Sequence, residues 1–490
     1  MLALVPITLA LLVGWVWVRL WSPAAGLAPG WAGHLLEAVL AVGGGIGVTS
    51  CLFFLLLLVN AAVPAVIYPV ELALLALGAF FWRRRRGGEP AAPAAEAPPG
   101  FRGNWLLALC LGAGLLLSAV GLVETAQANP YGEWDAWSIW NVRARFLAGP
   151  DGSWKHAVSP LLERTHPEYP LLLSGFIARA WRASGRKAPL IVPILTGLLL
   201  AACVPALLVA ALALLRSASA GLLAGLVLLA STRFLVQCAT QYADVPLSFY
   251  YLAVMVLMAL ASRTADRLRP RLLVLAGFFA SLAAWTKSEG IAFVVVALIC
   301  GFLLEWRAAG WKKAIRAWRW LVLGALPVLL VVAGFKWFLA PRPDAVLAQP
   351  WWQAARALVA WDRYLMIGKA LLVEAVRLGL GLGNPLLLLV ILALTLGIRP
   401  RRELGGPVVF GAVTVGGLSA IYCGAYLITP MDLAWQLSTS LGRLCAQLWP
   451  GFLLVVFLAL NRIEDRVAPA ASRGKAGSAR HKRKEGGRKP

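Results

Sequence analysis

Along this 490-residue chain the polar positions are grouped, so long apolar runs alternate with short charged clusters. A helix needs about 20 apolar residues to cross the hydrocarbon core of a bilayer. Runs near that length lie at 105–123, 189–215, 244–262, 288–305, 320–340 and 407–427, with shorter ones at 219–232, 272–286, 384–398 and 449–461. About three more helices fit within residues 1–86, which gives roughly 11–13 transmembrane helices. The first run, 2–18, lacks a basic leader and a small-residue cleavage signal and reads as a retained span. The fold class expected is an all-α polytopic membrane protein.

Composition agrees: 60% of residues are hydrophobic, 14% are charged, and the mean hydropathy is +0.76. The net charge of +24 does not point to nucleic acid, because the basic residues sit between apolar runs and in the tail "SRGKAGSARHKRKEGGRKP". The positive-inside rule accounts for such clusters. Treating "RRRR" at 83–86, Arg216, Arg263 to Arg271, Arg307 to Arg319, "RPRREL" and the tail as cytoplasmic gives an alternation with no parity error. It leaves three external loops, at about 124–188, 341–380 and 428–448. The expected division is N-terminal helices 1–86, a Pro/Ala-rich cytoplasmic linker 87–104, a transmembrane core 105–462 and a basic cytoplasmic tail 463–490. The seven cysteines show no C-x-x-C pair; most lie in apolar runs, and a Cys238–Cys445 disulfide stays open.

The first external loop is the chemically rich one. "YGEWDAWSIWNVRARF" (131–146) sets Glu133 and Asp135 beside Trp134, Trp137, Trp140, Arg143 and Arg145, and "HPEYP" adds His166, Glu168 and Tyr169. One reading is an interfacial helix with Asp135 as its N-cap and the tryptophans on lipid. Residues two apart on a helix face nearly opposite sides, so Glu133 and Asp135 reach one site only if the helix starts between them. Further polar islands fall on the same expected face: Asp244 in "QYADVPLSFYY", Lys287 and Glu289 in "WTKSEG", and Asp432, Gln436 and Arg443 in the third loop. Charges at membrane depth cost about 2.5–3.5 kcal/mol each on insertion scales, so they need partners or duties. An outward site with a carboxylate and several cations suits sugar transfer from a lipid phosphate to a hydroxyl. The carboxylate takes the acceptor proton, and the cations stabilise the departing phosphate.

Taken in order, "GEWDAWSIWNVRARFL", "HPEYPLLLSGF", "YADVPLSFYY", "WTKSEG" and "LAWQLSTSLGRL" resemble the bacterial branch of the GT-C glycosyltransferases, over roughly residues 105–460. That branch holds the dolichyl-phosphate-mannose-type and aminoarabinose transferases and the RgtA/B/C/D-like proteins. The resemblance implies a multi-helix enzyme of the bacterial cytoplasmic (inner) membrane, with an outward site, a polyprenyl-phosphate sugar donor and a cell-envelope glycan, lipid or protein as acceptor. It implies Asp135 as general base with Glu133 as second choice. It implies Lys287 and Arg443 at the donor phosphate, with Arg143 and Arg145 from the first loop. Asp244, Glu289, His166, Glu168 and Tyr169 would orient substrate. Two departures stand out: Trp134 separates two acids that are adjacent in many relatives, and Gln436 stands where some relatives have a histidine. Glu133, Asp135, His156 and His166 are candidate ligands for a divalent metal, although no spacing demands one. The competing functions are a lipid-linked sugar transporter or flippase, and a glycan ligase or polymerase using a diphosphate-linked donor.

Overall fold

The computed structural model describes residues 4–22, 27–28, 30–86, 104–150, 152–185, 188–264, 268–341, 349–398 and 402–461. Nearly all of the linker and the whole basic tail lie outside the described residues, as do the side chains of Glu163 and Arg164.

Helix is the only extended regular structure among the described residues. The helices are α1 Leu4–Trp21, α2 Gly30–Leu58, α3 Pro64–Arg86, α4 Trp105–Ala128, α5 Val142–Ala148, α6 Leu172–Ala183, α7 Ile191–Leu215, α8 Ala218–Leu229 and α9 Thr232–Ala239. They continue as α10 Asp244–Arg263, α11 Arg269–Thr286, α12 Ser288–Ala309, α13 Trp311–Phe338, α14 Trp351–Val359, α15 Trp361–Arg377, α16 Pro385–Leu396, α17 Gly405–Ile428 and α18 Leu433–Ala459. An apolar stretch closes its backbone hydrogen bonds on itself only as a helix, which is what a bilayer demands.

Among the described residues ten helices are long and apolar enough to span: α1, α2, α3, α4, α7, α10, α12, α13, α17 and α18. The chain is a multi-pass membrane protein. The expected 11–13 spans also counted three weaker runs. Of these, α8 is followed by α9 at a 72° bend, and the pair taken as one broken span gives eleven. The second, α11, opens on Arg269 and Arg271, and the third, α16, has 12 residues and is about 18 Å long.

The expected third loop, 428–448, is not a loop. Only residues 429–432 separate α17 from α18, whose first half occupies the rest. Gln436, Ser440, Arg443 and Gln447 lower its hydropathy, yet they recur at helical spacing and share one face. Asp432 caps this helix by accepting from the Trp435 amide at 2.7 Å. The second loop carries two helices, α14 and α15, whose apolar side chains are largely exposed.

Close helix crossings rest on glycine. A Cβ on Gly14 would strike the Ala41 carbonyl and one on Gly45 the Ala10 carbonyl, so α1 and α2 touch backbone to backbone. Gly277 and Gly324 do the same for α11 against α13. The first three helices join the rest through buried polar contacts. The Tyr250 hydroxyl donates to the Gly43 carbonyl at 3.0 Å, and Trp285 Nε1 donates to Ser50 Oγ at 3.2 Å. All seven cysteines are free, so the Cys238–Cys445 option is not realised.

Candidate functional site

The segment before α5 sets the first carboxylate. Gly132, with φ +73, turns the chain after α4, and the Glu133 amide donates to the Thr240 carbonyl at 3.2 Å. Helix then starts at Trp134 and widens to a π-helical stretch over Ala136–Asn141 before α5. Asp135 is therefore not an N-cap: its backbone is already helical (φ −66, ψ −26) and its side chain caps nothing. It lies in the first turn and reaches sideways to Arg443. Wide turns of this kind cluster at functional sites because the extra residue re-aims side chains. Trp134 and Trp137 are exposed and meet edge to face at 4.6 Å. Trp140, expected at the interface with them, is fully buried and stacks on Tyr169 at 5.9 Å.

Five charged residues from four separate segments form one chain. Asp135 Oδ2 lies 2.6 Å from Arg443 Nη2, and Arg443 Nε donates to Asp244 Oδ2 at 3.0 Å. Asp244 Oδ1 accepts from Lys287 Nζ at 3.1 Å and from Gln447 Nε2 at 2.5 Å. Lys287 in turn lies 2.7 Å from Glu289 Oε1. Signs alternate along the chain, so each buried charge has opposite neighbours on both sides, the condition under which desolvation is offset. Exposure falls inward: the side chains of Asp135 and Arg443 are 17% accessible, Glu289 21% and Asp244 0%.

Local geometry aims each group. Lys287 is a single extended residue between two helices, and a Cβ on Gly290 would strike the Ala283 carbonyl, so glycine allows α12 to start tight against α11. Arg443 lies 4.5 Å over the Tyr242 ring and Lys287 5.9 Å over that of Tyr169. Burial pushes the Tyr242 phenol above its ordinary value, although the Asp135 amide, donating to its oxygen, pulls the other way.

The remaining expected residues divide. Arg143, expected at a phosphate, is fully buried, and its guanidinium donates to the carbonyls of Ala157, His166, Pro167 and Tyr169 at 2.7–3.4 Å. Desolvation lowers its pKa to about 10, and the position ties down the loop ahead of α6 instead of meeting solvent. Arg145 is exposed. Glu133 is exposed too and accepts from Asn129 at 3.3 Å, outside the charge chain. His166, with φ +50, stacks on Tyr169 at 4.7 Å and sits 3.1 Å from Glu168 Oε1. Burial is the largest single influence and raises the Glu168 carboxyl, but the hydrogen bond with His166, a backbone hydrogen bond and the nearby His166 and Lys336 charges together outweigh it and hold the group below its ordinary value. This cluster borders the charge chain through Tyr169, and Lys336 Nζ joins it by donating to the Glu168 carbonyl at 2.7 Å and to Ser288 Oγ at 3.1 Å. Among the described residues no three His, Cys, Asp or Glu side chains gather as metal ligands, so Glu133, Asp135, His156 and His166 do not converge.

Sequence reasoning missed Gln447, Tyr242 and Lys336. Gln447 carried a signal: it stands four residues after Arg443, on the same helix face. Comparison with protein-family models, curated proteins and solved structures gives no match for the chain.

Proposed function

We propose that the chain is a membrane glycosyltransferase that moves a sugar from a polyprenyl-phosphate donor to a hydroxyl of a cell-envelope glycan, lipid or protein. Its site faces outward from the bacterial cytoplasmic membrane, the protein has a GT-C-like fold, and Asp135 is the general base. One observation carries this reading: a partly exposed carboxylate is held by an arginine whose other edge is fixed by a fully buried aspartate, itself paired with a buried lysine.

The acceptor hydroxyl approaches Asp135 from the solvent edge, and its proton passes to a carboxylate oxygen as the hydroxyl oxygen bonds to the sugar's anomeric carbon. The bond from that carbon to the phosphate oxygen breaks, and its electron pair leaves with the phosphate. That anion is stable without a proton, so the donor side needs cations and no acid. Arg443 and Lys287 are the cations at hand, and both rest on carboxylates. A donor phosphate at Arg443 competes with Asp135 for the guanidinium and so frees a carboxylate oxygen to meet the acceptor hydroxyl. A positioned base of this kind accounts for about 10²–10⁴-fold of rate.

The test is transfer from radiolabelled polyprenyl-phosphate sugars in proteoliposomes, with the parent and Lys287→Met. The parent is expected to label an acceptor from at least one monophosphate donor, and the variant to lose most of that transfer. Labelling from diphosphate-linked donors alone favours a ligase. Movement of intact lipid-linked sugar across the vesicle without transfer favours a transporter.

A further inference from the structure

Asp244 is held from three sides, and one holder leads away from the solvent edge into the bundle. Gln447 donates through Nε2 to Asp244 Oδ1 at 2.5 Å, and its Oε1 accepts from the Tyr422 hydroxyl at 2.7 Å. Since an ionised carboxylate only accepts, the Gln447 amide has a single workable orientation. The Tyr422 proton is thereby committed to Gln447, and its oxygen is left to accept from the Tyr251 hydroxyl at 3.3 Å. Tyr251 is clamped in turn by stacking on Phe293 at 4.2 Å. The donors run one way, Tyr251 to Tyr422 to Gln447 to Asp244, across α10, α17 and α18.

All three relay residues are buried, with Gln447 at 1% exposure. Packing alone does not call for them, since leucine and phenylalanine fill such volumes without polar atoms to satisfy. Each buried polar group left unpaired costs about 1–3 kcal/mol, so the series is stable only with an acceptor at its end. That end is the oxygen of Asp244 that does not meet Arg443. Fixing Oδ1 fixes the rotation of the carboxylate, and rotation decides where Oδ2 points and hence where Arg443 sits relative to Asp135.

We infer that Gln447, Tyr422 and Tyr251 are positioning residues: they lock the Asp244 carboxylate so that Arg443 is aimed at Asp135. The inference rests on the reading of Asp135 as base, and the relay itself touches no reacting atom. The substitutions Gln447→Leu, Tyr422→Phe and Tyr251→Phe in the full-length protein grade the effect with distance. A hydrogen bond to a charged group corresponds to roughly a 10-fold change, so kcat is expected to fall about 10-fold for Gln447→Leu, with donor KM within about 2-fold. Tyr422→Phe should lose less and Tyr251→Phe least. Because the residues act in series, Gln447→Leu/Tyr422→Phe should be no slower than Gln447→Leu alone.

A second measurement does not need activity. Asp135 and Gln447 share no hydrogen bond or ion pair, so Asp135→Asn and Gln447→Leu should lower the melting temperature additively if Gln447 only packs. A combined shift smaller than the sum supports the relay. An additive shift, or a kcat unchanged in all three relay variants while melting temperature falls, overturns it. If the parent transfers no sugar, the function reading fails and the thermal cycle still decides the relay. If Gln447→Leu does not fold, the same cycle with Tyr422→Phe decides it.

Discussion

The Glu71–Arg179 pair and the Asp135–Arg443–Asp244–Lys287–Glu289 chain both set charge among apolar helices, but only the second opens to the surface. Arg179 and Glu71 are joined by a two-armed salt bridge with neither side chain more than 1% exposed, and Arg179 also donates to the Pro6 carbonyl at 3.0 Å. That pair ties α1, α3 and α6 together and has no free edge for a ligand. The longer chain repeats the same chemistry with accessible ends at Asp135 and Glu289. Burying charge is thus a tie in one place and a candidate site in the other, and accessibility at the ends makes the difference.

The largest way to break the comparison is Glu71→Gln, which strands a buried guanidinium. Removing one partner of a buried pair costs about 3–5 kcal/mol, so the melting temperature and folded yield should fall sharply while transfer per folded molecule holds. Replacing both partners, Glu71→Leu with Arg179→Met, should restore stability. If Glu71→Gln instead lowers transfer per folded molecule, the pair is no mere tie.

Next in size is Gly442→Val. A Cβ there would stand 2.7 Å from Arg233 Nε and 2.8 Å from Glu374 Oε2, the ion pair that ties α9 to α15 next to α18. Overpacking of this kind costs about 1–3 kcal/mol. The expected result is faster limited proteolysis across 349–384, with the remaining helices intact.

A smaller effect belongs to pH. The folded Glu168 carboxyl titrates below its ordinary value, so the stability it adds is fully present above the unfolded carboxyl pKa of about 4.3 and is lost as pH falls through the folded value. Thermal unfolding of Glu168→Gln should therefore depend less steeply on pH below about 4.3 than that of the parent. Equal slopes would sink this assignment.

Much of this architecture is legible in sequence because apolar length is a local property. The spans at 105–123, 189–215 and 244–262 need no partner to declare themselves. The misread stretch at 428–448 shows the limit: Gln436, Arg443 and Gln447 lower hydropathy along the chain, and only their shared face marks them as one side of a helix. The site residues were visible as separate polar islands at 135, 244, 287 and 443. Their pairing was not, because it depends on how distant helices cross. Arg143 looked like a phosphate contact through its company in 131–146, whereas burial gives it four carbonyls instead.

Asp135, and not its neighbour Glu133, is the residue proposed to do proton chemistry. Sugar transfer in proteoliposomes, compared between Asp135→Asn and Glu133→Gln at matched folded protein, tests it most directly. Asp135→Asn is expected to lower kcat about 10²–10⁴-fold, whereas Glu133→Gln, exposed and outside the charge chain, should stay within about 2-fold of the parent. Parental rates in Asp135→Asn would rule out Asp135 as the base, and loss in Glu133→Gln alone would move the base by two residues.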